Sequence, residues 1–115
     1  MVEFDSPQLN TLFQALADPT RRGMLASLAL GEKSIGELAA PCDMSFAGAS
    51  KHVKVLEDAG LLSRRKAGRS HICTLEAAPL AQAERWLRQW EQFWNQRLDR
   101  LEALIERGKE EKQNG

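Results

Sequence analysis

The chain is poor in the residues that build metal centres and covalent frameworks, with only two cysteines and two histidines among 115 residues. Cys42 and Cys73 lie far apart and form no CxxC or Cys/His cluster, which excludes a zinc signature, so no metal site is expected. Long apolar runs are also missing. None approaches the roughly 20 residues that cross a bilayer, and the opening stretch MVEFDSPQL lacks the basic-then-apolar pattern of a secretion signal. A cytoplasmic protein with no membrane partner is therefore expected, and in that compartment a permanent disulfide is not. There is no carboxylate pair, nucleophile elbow, phosphate loop or Cys/His set at catalytic spacing, so neither an enzyme nor a bound cofactor is expected.

Net charge is absent as well, because sixteen basic residues balance sixteen acidic ones. Their distribution is uneven. Residues 1–44 hold three basic residues against six acids, and residues 76–115 hold seven against eight. Residues 45–75 hold six (Lys51, Lys54, Arg64, Arg65, Lys66 and Arg69) against only Glu57 and Asp58, a local surplus of four. A basic face of this kind is the electrostatic footprint of a nucleic-acid partner whatever the total charge.

What remains is ordinary globular composition, 43% apolar and 28% charged. It fits one domain over residues 1–108 with a polar tail over 109–115, and the domain is small enough to need a partner to bury sufficient surface. After Pro7, Leu9, Leu12, Phe13 and Leu16 repeat at helical steps. Asp18-Pro19 starts a second helix, with the aspartate as cap and the proline at the first helical position. That helix runs to about Leu30, with Gly31 as its cap; Gly23 inside it points to close packing.

The stretch Ser34 to Gly60 reads as a helix-turn-helix. Ser34 followed three residues later by Glu37 is a capping box. Pro41 stops that helix after about two turns. Ser45 caps the next helix, in which Ala49, Val53 and Leu56 form one apolar stripe while Phe46, Ala47, Ser50, Lys51 and Lys54 lie around the other face, and Gly60 ends it. The pattern then changes period, and two strands meet at a basic tip around Ala67-Gly68-Arg69. From Pro79 to about Gly108 a single amphipathic helix carries Leu87, Trp90, Phe93, Trp94, Leu98 and Leu101 on one stripe. At about 1.5 Å per residue it spans roughly 40 Å, more than so small a domain can cover, so a second subunit is expected there.

The fold class is thus mainly α with a small β-hairpin, a winged helix-turn-helix. Its second helix fits a major groove and its hairpin tip reaches the backbone or minor groove of double-stranded DNA. Ser45, Ser50 and Lys51 are suited to phosphates or base edges, and Lys54 adds charge. Phe46 and Ala47 suit thymine methyls, with a buried staple as the second reading of Phe46. Arg64, Arg65 and Lys66 supply salt-dependent phosphate attraction, and Arg69 is the candidate groove-inserting side chain. His52 reads as a DNA-facing or surface polar residue. Cys42 and Cys73 allow a thiol switch towards oxidants or soft metals, or a plain packing role. The Trp86, Trp90, Phe93, Trp94 group allows a dimer core or an apolar ligand pocket. A protein-interaction module built on the long helix is a further alternative.

The runs ALADPTRRGML, IGELAAPCDMS and SKHVKVLEDAGLLSRRKAGRSHICTL, in this order, resemble the ArsR/SmtB family of bacterial transcriptional repressors over roughly residues 9–105. The final helix WLRQWEQFWNQRLDRLEAL resembles the branch with a long, Trp-rich last helix. The resemblance implies a homodimer joined through its first and last helices, which adds Leu9, Leu12 and Phe13 to the interface. It also implies a palindromic operator and release by a signal that the sequence does not name. The family's CVCDL metal motif reads SIGEL here, with Ser34 and Gly36 at the cysteine places, and the last helix has no histidine.

Overall fold

The computed structural model describes residues 6–114; the first five residues of the opening stretch and Gly115 lie outside them. The chain runs α1 (Pro7–Leu16), α2 (Pro19–Ala29), β1 (Lys33–Ser34), α3 (Ile35–Ala39), a 3₁₀ turn (Ala40–Cys42), α4 (Phe46–Asp58), β2 (Leu62–Ala67), β3 (Ser70–Leu75) and α5 (Ala78–Asn114). Two compact units result, one ending at Ala83 and the other beginning at Glu84.

Local chemistry accounts for the helix starts. Ser6 Oγ accepts from the Leu9 N–H at 3.3 Å, with Pro7 next in line at the first helical position. Asp18 accepts from the Arg21 N–H at 3.0 Å, and Ser45 from the Gly48 N–H at 3.1 Å. The capping box is complete, since Ser34 Oγ accepts from the Glu37 N–H at 3.1 Å while the Glu37 carboxylate accepts from the Ser34 N–H at 3.0 Å. After the 3₁₀ turn the chain reverses through Asp43 at φ 50°, a conformation that aspartate tolerates better than most residues. Gly60 at φ 75° ends α4 in the left-handed region.

The core of the first unit gathers one stripe from each helix: Leu9, Leu12 and Ala15 of α1, Met24, Leu25 and Leu28 of α2, Ile35 and Leu38 of α3, and Ala49, Val53 and Leu56 of α4. Leu61, Leu62 and Cys73 join it from the sheet. Alternation in β3 leaves the inward face open in the sequence, and the structure places Cys73 inside, wholly buried.

Three features depart from the sequence reading. The expected hairpin is the larger part of a three-stranded antiparallel sheet ordered β1-β3-β2, with Lys33 opposite Cys73 and Ser34 opposite Ile72. The long helix passes Gly108 and continues to Asn114, through residues read as a polar tail. Gly23 is not closely packed, because a methyl group there would meet nothing within 4 Å. Its only effect on α2 is the entropic weakness of a mid-helix glycine. Gly23→Ala should therefore stabilise the protein by about 0.5–1 kcal/mol, read as a higher midpoint of urea unfolding at unchanged slope.

Candidate nucleic-acid interface

Burial orients α4. With Ala49, Val53 and Leu56 wholly buried, Phe46, Ala47, Lys51 and Lys54 are forced outward and Ser50 lies half-buried at the edge. Phe46 is 58% exposed, so it is no staple within this chain. Ser45 begins the helix, its hydroxyl engaged by the Gly48 N–H. His52 lies apart from the outward set. It is half-buried, and its Nδ1 lies 3.3 Å from Arg21 Nη1 and 4.0 Å from the Asp18 carboxylate, at the start of α2.

Next to α4 stands the wing. Strands β2 and β3 pair from Leu62 opposite Leu75 to Ala67 opposite Ser70, leaving Gly68 and Arg69 as a two-residue turn. Gly68 has φ 62° at the place that a type II′ turn reserves for glycine. Arg69 is thereby held at the extreme tip, exposed.

The six basic residues divide into two groups of three. Arg64 makes a bidentate pair with Glu57 at 2.9 and 3.1 Å, tying the base of the wing to the last turn of α4. Arg65 and Thr74 both donate to Glu32, at 3.2 and 3.1 Å, anchoring the wing to the chain before β1. Lys54 pairs with Asp58 one helical turn away at 2.8 Å. Lys51, Lys66 and Arg69 make no ion pair among the described residues, and all three are exposed. The positive surplus counted from the sequence is therefore concentrated at one point on α4 and two on the wing. Nothing in the order of residues marks Glu32 as a partner of Arg65, since the two are joined only when the sheet forms.

The pairing also shifts titration. The Arg64 guanidinium holds the Glu57 carboxyl below the usual range, against a smaller opposing effect of burial. Burial pushes the Cys73 thiol up, away from the reactive thiolate. Cys42, in the turn before α4, is half-buried and its Sγ donates to the Leu38 carbonyl at 3.6 Å. Ser34 and Gly36 sit at the start of α3, where Ser34 serves as a cap. Among the described residues, no group of three or more His, Cys, Asp or Glu side chains is placed to hold a metal ion.

In the second unit the aromatic residues of α5 form a continuous cluster. Trp90 meets Trp86, Phe93 and Trp94 at centroid distances of 5.7, 5.6 and 6.3 Å, and Arg97 lies 4.6 Å over the Phe93 ring. Leu87, Phe93, Trp94, Leu98, Leu101, Leu104 and Ile105 are all exposed along this helix. On α1, by contrast, Leu9 and Leu12 are buried in the chain's own core and Phe13 is half-buried.

Comparison with known proteins places this geometry. A family model described as "Helix-turn-helix domain" matches residues 16–65, which span α2 to the first part of the wing. The HTH-type transcriptional regulator Rv2034 of Mycobacterium tuberculosis is 37% identical over 94 residues, covering 82% of this chain and 85% of that protein. The crystal structure of an ArsR family transcriptional regulator is 41% identical with a TM-score of 0.76, covering 83% of this chain and 97% of its own. The solution structure of a homodimeric winged helix-turn-helix DNA-binding domain from Mycobacterium bovis, a possible ArsR-family regulator, is 25% identical with a TM-score of 0.60, over 75% of this chain and 82% of its own.

The Glu57–Arg64 brace has a pH signature. A carboxylate whose folded pKa is depressed stabilises the protein fully above its ordinary value, and that contribution is lost as pH falls through the folded value. Acid should therefore weaken the wing below roughly pH 4. Glu57→Gln should lower stability by about 0.5–1 kcal/mol at neutral pH, and its melting temperature should fall less steeply with acid than that of the parent.

Proposed function

We propose, for a chain that belongs to the ArsR family of transcriptional regulators, a homodimeric repressor that grips a palindromic operator with α4 in the major groove and the wing tip on the flanking backbone or minor groove. The protein is a winged helix-turn-helix DNA-binding regulator, and the proposal concerns how it binds. The observation that carries it is the placement of Lys51, Lys66 and Arg69, the three cations of residues 45–75 free of ion pairs, on the outward face of α4 and on the wing. Around Lys51, α4 offers Phe46 and Ala47 for thymine methyls and Ser50 for a base edge or phosphate. Lys54, Arg64 and Arg65 hold the scaffold through their carboxylate partners and add only secondary attraction.

A dimer is favoured by the exposed stripe of α5, because a row of large apolar side chains bare along one helix matches what a second copy of the same helix would cover. Leu9 and Leu12 are already buried, so α1 would contribute through Phe13 and its polar outer residues. Two copies present two α4 helices to successive turns of the major groove, about 34 Å apart, which is why the operator would be palindromic. A bound dimer represses by occupying the promoter. The buried, proton-holding thiol of Cys73 and the hydrogen-bonded thiol of Cys42 favour packing roles over a redox trigger. No helix of the described residues is long and apolar enough to cross a membrane, in keeping with a place in the cytoplasm.

Lys51→Ala and Arg69→Ala should each weaken binding to an operator duplex and reduce the slope of log affinity against log salt by about 0.9, with melting temperature unchanged. Arg65→Ala, which removes a cation already neutralised by Glu32, should change the slope less. Equal slopes for all three variants and the parent would remove Lys51 and Arg69 from the interface. Light scattering should find a particle of two 12.9 kDa chains, and Leu98→Glu with Leu101→Glu should convert it to one.

A further inference from the structure

The start of α2 carries an arrangement that its own helix does not require. α1 ends with no basic residue in its last turn, which leaves its final carbonyls at the negative end of the helix dipole. Arg21 and Arg22 reach back across the short link Ala17–Asp18 to supply donors. Arg21 Nε donates to the Ala15 carbonyl at 2.7 Å, Arg21 Nη2 to the Gln14 carbonyl at 2.9 Å, and Arg22 Nη1 to the Leu16 carbonyl at 2.7 Å. Two guanidinium groups at the N-terminal end of α2 are unfavourably placed for that helix's own dipole, so their useful contacts are made elsewhere.

One nitrogen of Arg21 is left over, and it faces α4. Nη1 lies 3.3 Å from Nδ1 of His52. A guanidinium can only donate, so in this contact Nδ1 accepts and the ring hydrogen sits on Nε2. The Asp18 carboxylate, 4.0 Å from the same Nδ1, is too distant to compete as a hydrogen bond. Arg21 thus joins three helices: α1 through two carbonyls, α2 by its own backbone, and α4 through His52.

We propose that Arg21 is a positioning residue for DNA reading, which seats α4 on the α1–α2 corner through His52 and does not itself touch DNA. The inference rests on α4 being the reading helix. Its physical reason is directional. The buried stripe of Ala49, Val53 and Leu56 attracts α4 to the core, but apolar burial has no preferred direction and permits small rolls about the helix axis. A hydrogen bond anchored on a side chain that is itself held at two other points selects one roll. Contacts to base edges need placement within about 0.5 Å, and Phe46, Ala47, Ser50 and Lys51 all turn with the helix. His52 then serves recognition by pointing inward, which explains why a histidine on this helix is half-buried instead of bare.

The test uses the full chain and a duplex that it selects from a random pool, with affinity measured across a salt series. Arg21→Ala and His52→Leu should each weaken binding on the order of tenfold, the size expected for losing one charged hydrogen bond. The salt slope should stay at the parent value, since no phosphate contact is removed. His52→Asn, which keeps an acceptor near the position of Nδ1, should retain most of the affinity. The double variant Arg21→Ala with His52→Leu should bind no more weakly than Arg21→Ala alone. If Arg21→Ala melts too low to be assayed, the two His52 variants decide. Parent-like binding by His52→Leu, an Asn variant as weak as the Leu variant, or a slope lowered by about 0.9 in either His52 variant would overturn the proposal. Failure of the parent chain to select any duplex would instead overturn the reading on which it rests.

Discussion

The constraint on which the rest depends is the rotation of α4. Three side chains of this helix, Ala49, Val53 and Leu56, lose all contact with solvent, which decides the face of the helix that turns inward and leaves only small rolls about its axis. Truncating a buried Leu or Val to Ala typically removes about 1–5 kcal/mol, a large part of the stability of so small a domain. The same rotation exposes Phe46, Ala47 and Lys51 and turns His52 towards α2. Which residues can meet DNA is thus decided by which residues cannot meet water.

Charge acts on that frame in two distinct ways. Arg64 with Glu57, and Arg65 with Glu32, use carboxylates from elements that the sequence separates to fix the wing beside α4 and over the chain before β1. These pairs spend their charge inside the protein, and each is exposed enough that its value lies in geometry more than in stability. Lys51, Lys66 and Arg69 leave theirs exposed, which is what the proposed contact with a polyanion requires. A chain of zero net charge can carry a DNA-binding surface because its neutralisation is selective, with acids placed beside Lys54, Arg64 and Arg65 and away from the cations proposed to meet DNA.

Much of this was legible in the residue order because it is locally encoded. The Ser34–Glu37 box, the Asp18-Pro19 start, the Ser45 cap and the glycines at 60 and 68 each act within four residues, and the structure has each in the expected role. What escaped is long-range. Two residues, Lys33 and Ser34, have no strand pattern of their own and become a strand only because β3 passes beside them. Glu32 and Arg65 meet across the same sheet, and Arg21 meets His52 across 31 positions. The openness around Gly23 is likewise a property of what surrounds α2, not of α2 itself. The family resemblance carried the fold, but it did not tell Leu9 and Leu12, which this chain buries itself, from Leu98 and Leu101, which it leaves bare.

The central claim, that the outward face of α4 reads the duplex, is tested most directly by photo-crosslinking. A benzophenone side chain placed at Ala47 on that face should crosslink to bases of a bound duplex, whereas the same group at Leu30, 87% exposed at the end of α2, should not. Crosslinks from Leu30 with none from Ala47 would contradict the account.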